Sequence, residues 1–153
     1  MSTAVAEAIG QGAGTELPPL IGSLLRLPHE VVEARMLDDL HAHGFGLTLT
    51  ELRVFLYPGP DGRRPADLAR QCQMTRQAMN YVIAALERRG YVTRRTEVGV
   101  RVVRTTPAGR KLITRLRNCV GGIEREWAAH LGKRRFDELR DTLHELSIWL
   151  GKL

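Results

Sequence analysis

The sequence predicts a mainly α-helical fold with one short β-hairpin set into it. Three observations predict this. Apolar residues recur at the 3.6-residue helical period over most of the chain, as at Met79, Val82, Ile83 and Leu86. The period changes once, after Gly90, where Val and Thr crowd into two β-prone runs. The last apolar positions, Phe136, Leu139, Leu143, Leu146, Leu150 and Leu153, alternate spacings of three and four. That is the narrow seam of a helix that packs on other helices.

The chain has 153 residues, one domain's worth and enough for a core. No apolar run reaches bilayer-spanning length, so no membrane partner is expected. The N-terminus carries Glu7 and lacks a basic stretch before an apolar core, so it does not read as a secretory signal. Residues 1–18 are small, Gly-rich and free of aromatics, the composition of a disordered tail. Two cysteines, Cys72 and Cys119, lie far apart without paired spacing. Free thiols in a reducing cytoplasm are expected.

Leu20 to His43 carries a helical pattern in which Pro28 should break or kink the helix. Gly44–Phe45–Gly46 ends it. Leu47 to Tyr57 reads as a short second helix, with Thr48 and Glu51 at capping-box spacing. Pro58 to Gly62 is a loop by composition. Pro65 suits the first turn of a third helix, Pro65 to Gln71, with Asp67 complementing its dipole. Cys72–Gln73–Met74 then connects to a fourth helix, with Thr75 at its N-cap and Gly90 as its stop. Two short helices joined by a tight turn, the second polar on one face, form a helix-turn-helix. Tyr91 to Thr96 and Val100 to Thr105 are the strands of a hairpin turning at Glu97–Val98–Gly99, which makes the helix-turn-helix a winged one. Pro107 opens a long helix whose stripe runs through Leu112, Leu116, Cys119 or Val120, Ile123 and Trp127. Gly121–Gly122 weakens its middle by roughly 1 kcal/mol per glycine against alanine. Three regions result: the tail, a winged helix-turn-helix over 46–106, and helical flanks over 19–45 and 107–153. The flanks suit an intertwined homodimer platform.

The net charge of +6 is informative once located. Between Gly46 and Thr106 there are eleven arginines and five acidic residues, so this segment holds the whole excess. A charge excess confined to one segment is the footprint of a polyanion site. On the fourth helix Arg76, Gln77, Asn80, Tyr81, Ala84 and Arg88 fall opposite the apolar stripe. Arg, Gln and Asn are the side chains that pair bidentately with guanine or adenine in the major groove. Taken alone, such a helix also reads as a solvated surface helix. Tyr81 reads equally as packing against the wing. The charge excess, the preceding helix and the following hairpin favour DNA.

The residues resemble the MarR family of bacterial transcriptional regulators. The resemblance covers about Leu47 to Leu112. It runs through Leu47–Thr48, Glu51–Leu52, Val54–Phe55, Asp67–Leu68–Ala69 and Met74 to Met79. It continues through Leu86 to Val92 with Arg94, and Thr106 to Leu112. It implies a homodimer of six-helix subunits, the wing between the fourth and fifth helices, on a palindromic operator. It also implies a cleft which, in many relatives, takes a small phenolic or anionic effector that releases DNA. One departure stands out. The family's wing usually carries Asp-x-Arg or Asp-Arg-Arg before its second strand. Here the stretch is Glu97–Val98–Gly99–Val100–Arg101, with Glu97 in the aspartate's place and no arginine directly after it.

The resulting expectation is a DNA-binding regulator, a repressor by resemblance, that grips double-stranded DNA at an inverted repeat. Thr75, Arg76, Gln77, Asn80 and Tyr81 would enter the major groove. Arg64, Arg95 and Arg101, with Arg94 beside them, would hold phosphates or the minor groove. No cofactor is expected. His41 and His43 at i, i+2 do not share a helix face, and no cysteine or carboxylate completes a metal set with the chain's histidines. Trp127 and Trp149 read as core. Without a phosphate loop, nucleophile elbow or paired carboxylates, the chain does not read as an enzyme. The competing class is a winged helix that docks protein and not DNA, since a fold does not fix a function.

Overall fold

The computed structural model describes residues 18–151. The expected tail and the last seam position, Leu153, therefore lie outside the described residues, save for Pro18. Eight elements follow in order: α1 (Ile21–Ala42), α2 (Leu49–Phe55), α3 (Pro65–Gln71), α4 (Arg76–Arg88), β1 (Val92–Glu97), β2 (Val100–Thr105), α5 (Pro107–Leu131) and α6 (Lys133–Trp149).

The chain divides into two compact units at Val31, within α1. In the first unit, the described residues include the exposed apolar side chains of Leu20, Ile21, Leu24, Leu25, Leu27 and Val31. Pro28 lies inside α1, which runs on without interruption. The expected break is absent. A proline costs its own N–H bond and crowds the carbonyl four residues back, but the hydrogen-bonded turns on either side carry the helix past it.

The second unit holds the core. Met36, Leu40, Leu47, Leu52, Val54, Leu68, Met79, Ile83, Leu86, Val92, Val103, Leu112 and Leu116 pack into one cluster. Three helices, α2, α4 and α5, begin where a side chain satisfies a free backbone N–H group. Thr48 Oγ1 accepts from the Glu51 N–H at 3.2 Å, while the Thr48 N–H donates to Glu51 Oε2 at 2.9 Å. This reciprocal cap starts α2 two residues later than the apolar pattern suggests, because Thr48 itself is extended, with ψ 162°. Pro65 occupies the first turn of α3. Thr75 and Thr106 cap α4 and α5 by accepting from Ala78 and Gly109. Gly90, at φ +74°, lets the chain leave α4.

β1 and β2 pair antiparallel from Val92↔Thr105 to Glu97↔Val100. The turn is two residues, Val98 and Gly99, both at positive φ. The α2–α3 loop adds a third rung. The Gly62 N–H donates to the Val103 carbonyl and the Val103 N–H to the Arg63 carbonyl, each at 2.8 Å. α5 runs through Gly121–Gly122 without a break. Burial of Leu116 and Ile123 on either side offsets the weak propensity there. On α6, Phe136 is buried, while Leu139, Leu146, Ile148, Trp149 and Leu150 are exposed. Trp149, expected in the core, is 79 % exposed, and Trp127 is half-buried. Among the described seam positions, Phe136 is buried, Leu143 is half-buried and the others are exposed.

Candidate nucleic-acid interface

The candidate face is built by α4. Its apolar side, Met79, Ile83 and Leu86, is fully buried. That burial fixes the helix's rotation, so the opposite side must face solvent. Thr75, Arg76, Gln77, Asn80, Tyr81 and Arg88 are all exposed. Tyr81 is 69 % exposed, so it stands clear of the wing and joins this face. Val82 and Ala84 are half-buried at its edges.

The turn into α4 carries a cost. Gln73 sits at φ +54°, the left-handed region where a glycine would be unstrained. It persists because the residues around it are fixed. The Met74 N–H donates to the Ala69 carbonyl at 2.8 Å, and the Gln73 N–H to the Arg70 carbonyl at 3.2 Å. This hydrogen-bonded corner sets the angle between α3 and α4.

The arginines divide into two groups. Arg76, Arg88, Arg95 and Arg101 are exposed and enter no ion pair among the described residues. They are therefore available to an external anion. Arg53, Arg64, Arg70, Arg89, Arg94 and Arg104 pair within the fold. Arg53 grips buried Glu33 with two bonds, at 2.8 and 2.9 Å. Arg89 donates to the Gly46 carbonyl at 2.6 Å and to Glu51 at 3.3 Å, tying the end of α4 to the start of α2. Arg64 pairs with Asp67 at 2.9 Å, and Arg70 pairs with the same carboxylate. Arg64, then Arg70, holds the Asp67 carboxyl down at about 2.

Arg94 is half-buried and turned toward α4. Its guanidinium pairs with Glu87 and donates to the Asn80 carbonyl at 3.0 Å. Its own N–H donates to Glu87 Oε1 at 2.6 Å. Glu87 thus fastens the first wing strand to α4. On the other side of the hairpin, Arg104 donates to Glu97 at 2.8 Å and to Asp61 at 3.1 Å. Asp61 also accepts from the Thr105 N–H at 2.8 Å. That backbone bond, then Arg104, lowers the Asp61 carboxyl, and Arg104 lowers that of Glu97. Glu97, which fills the place of the usual wing aspartate, is therefore paired within the hairpin, to Arg104. The sequence could not reveal the roles of Glu87, Asp61 and Arg104. Their partners lie at separations of 7 and 43 residues, set by the hairpin register and the loop bridge.

Burial pushes both cysteine thiols up, away from the reactive thiolate. Among the described residues, no group of three His, Cys, Asp or Glu side chains could hold a metal. No described helix is long and apolar enough to cross a membrane. A groove of about 510 Å³ lies between α5 and α6, lined by Gly121, Arg125, Ala128, Lys133, Phe136 and Asp137 among others.

The arrangement matches that of known proteins. Residues 45–101 match the sequence model described as MarR family. Among curated proteins, none matches the chain. A MarR family protein of Mycobacterium tuberculosis, solved in complex with p-aminosalicylic acid, is 31 % identical; the similarity covers 85 % of this chain and 99 % of that one, with a TM-score of 0.63. A MarR family transcriptional regulator from Rhodococcus sp. RHA1 is 20 % identical over 88 % of this chain and 96 % of its own, with a TM-score of 0.68. The transcriptional repressor CouR, bound to a 23-mer DNA duplex, is 21 % identical over 87 % and 99 %, with a TM-score of 0.63. The two latter likenesses show a shared fold. The mycobacterial one, nearly complete over that protein at this identity, together with the sequence match across the winged helix-turn-helix, shows that the chain belongs to the MarR family of transcriptional regulators.

Proposed function

We propose that the protein is a dimeric, DNA-binding repressor that reads an inverted repeat. One observation carries this: the face of α4 opposite the core presents Thr75, Arg76, Gln77, Asn80 and Tyr81 to solvent together, with Arg76 unpaired among the described residues. These side chains form the base-reading set. Arg95 and Arg101 on the wing, and Arg64 at the start of α3, contact phosphates flanking it. For Arg64 this means exchanging Asp67 for a phosphate oxygen. Arg94 contributes by holding the wing against α4. Two copies of α4 about 34 Å apart would meet successive major grooves, hence an inverted repeat. A small aromatic or anionic effector of the salicylate kind is the class of ligand that would release DNA. The mycobacterial relative, solved with p-aminosalicylic acid and again with salicylic acid, supports that class.

The test begins by selecting duplexes from random DNA with the purified protein, which should return an inverted repeat. Arg76→Ala should then weaken binding to the selected duplex roughly ten- to a hundredfold, with little effect on unrelated DNA. Equal losses on both would refute a base-reading role for Arg76. Binding should also fall by orders of magnitude between about 50 and 200 mM salt, as counterion release requires. A salt-insensitive protein would instead belong to the class of protein-docking winged helices.

A further inference from the structure

We propose that Val98, at the apex of the wing, reads the minor groove by apolar contact and selects A·T over G·C pairs beneath it. This rests on the DNA-binding reading above and adds to it a specificity residue on the element whose sequence departs from its family.

The starting observation is conformational. Val98 sits at φ +48° and Gly99 at φ +76°, the two-residue turn in which both central positions are left-handed. Such turns favour Asn-Gly or Gly-Gly. A β-branched residue there is strained, because its branched carbons crowd the backbone. The strain has no return within the fold. Val98 is fully exposed and packs on nothing. Val100, across the turn, is also exposed. An apolar, strained and solvated tip is a poor solution for a free hairpin, and strain of this kind concentrates where an external partner uses it.

The surroundings identify the partner. Register pairs Arg95 with Val102 and Thr96 with Arg101. Side chains of directly paired residues share a face and neighbours alternate, so Arg95 and Arg101 leave opposite faces of the ribbon. The tip is therefore an apolar apex with one exposed, unpaired arginine on each side. That shape fits a minor groove, whose two phosphate walls flank a floor of base edges. Glu87, by fastening β1 to α4, holds this tip beside the reading helix. A helix lying in the major groove then brings the ribbon to the adjoining minor groove.

Chemistry sets the preference. In the minor groove A·T pairs present only acceptors, and G·C adds the guanine 2-amino donor. Valine can satisfy neither, but its methyls fit against the adenine edge. Pressed against a guanine amine, they would exclude its water and leave a buried donor unpaired.

The experiment uses the full chain and the duplex selected from random DNA. Pairs beneath the wing are changed in turn to A·T, G·C and inosine·cytosine, the last being G·C without its 2-amino group. A·T and inosine·cytosine should bind equally, and G·C roughly five- to tenfold more weakly. Val98→Gly should abolish that difference while leaving the thermal midpoint unchanged or raised, since glycine adopts the turn freely. Arg76→Ala should lower affinity yet keep the difference. Three results would overturn the inference: no discrimination by the unaltered protein, discrimination that inosine does not relieve, or discrimination that survives Val98→Gly. If the unaltered protein binds no duplex at all, the DNA-binding reading itself falls, and this inference with it.

Discussion

Gly109 shows how much one atom decides in this protein. It lies buried in the first turn of α5, one helical turn from the hairpin's end. A Cβ there would sit 2.1 Å from the Tyr91 carbonyl oxygen and 2.7 Å from Thr105 Cγ2. The first contact is with backbone, which cannot swing aside. Gly109→Ala should therefore cost about 1–3 kcal/mol, despite alanine's better helix propensity, read as a lowered denaturant midpoint. A neutral substitution would mean that α5 starts further from Tyr91. Asp67 offers a second test at this scale. Its folded carboxyl titrates at about 2, below its free value of 3.8. A group depressed in this way stabilises the fold above its free value and loses that contribution as pH falls toward 2. Asp67→Asn should thus narrow the stability gap between pH 5 and pH 2, followed by chemical denaturation. An unchanged acid slope would show that the Arg64 and Arg70 pairs are fully screened.

At the scale of elements, what the sequence could disclose was set by locality. Caps are local chemistry, so Thr48 with Glu51, Pro65, Thr75, Gly90 and Pro107 mark where α2, α3, α4 and α5 begin or end within a residue or two. Breakers are less decisive, because burial and the hydrogen-bonded turns on either side compete with them. Gly121–Gly122 sits inside an intact α5, and Pro28 inside an intact α1. The exposed polar face of α4 was legible because its buried stripe has a fixed period. The use of each arginine was not. Charge can be counted along a sequence, but whether Arg94 faces DNA or Glu87 depends on a strand pairing many residues away. That contact supports a prediction. Glu87→Ala removes acceptors for both the Arg94 guanidinium and its N–H. The wing should lose its fixed angle to α4 while the core stays folded. Hydrogen exchange across Val92–Thr105 should quicken, and affinity for the selected duplex should fall roughly tenfold. Unaltered exchange with unaltered affinity would show that the hairpin pairing alone orients the wing.

At the scale of the molecule, the exposed apolar surface calls for a partner. The second unit leaves Leu139, Leu146, Ile148, Trp149 and Leu150 of α6 in water, with Trp149 79 % exposed. The first unit separately exposes Leu20, Ile21, Leu24, Leu25, Leu27 and Val31. Single exposed leucines are ordinary, but clusters of this kind on consecutive helical turns mark interaction surfaces. The partner that requires no further component is a second copy, burying the same elements by two-fold symmetry. Covering one large apolar side chain contributes about 1.5–3 kcal/mol, and a symmetric contact counts each one twice. A carboxylate placed in that seam would have to be desolvated without a cation to meet it. Leu146→Asp should therefore shift sedimentation from dimer toward monomer at micromolar concentration. Phe136 keeps the base of α6 on the core, so the monomer's helical circular dichroism should survive. On the proposed grip of an inverted repeat by two copies of α4 together, specific DNA affinity should fall much further than non-specific affinity. If Leu146→Asp still sediments as a dimer with full operator affinity, the α6 seam is not part of the contact, and the exposed apolar residues of α1 become the surface to alter next.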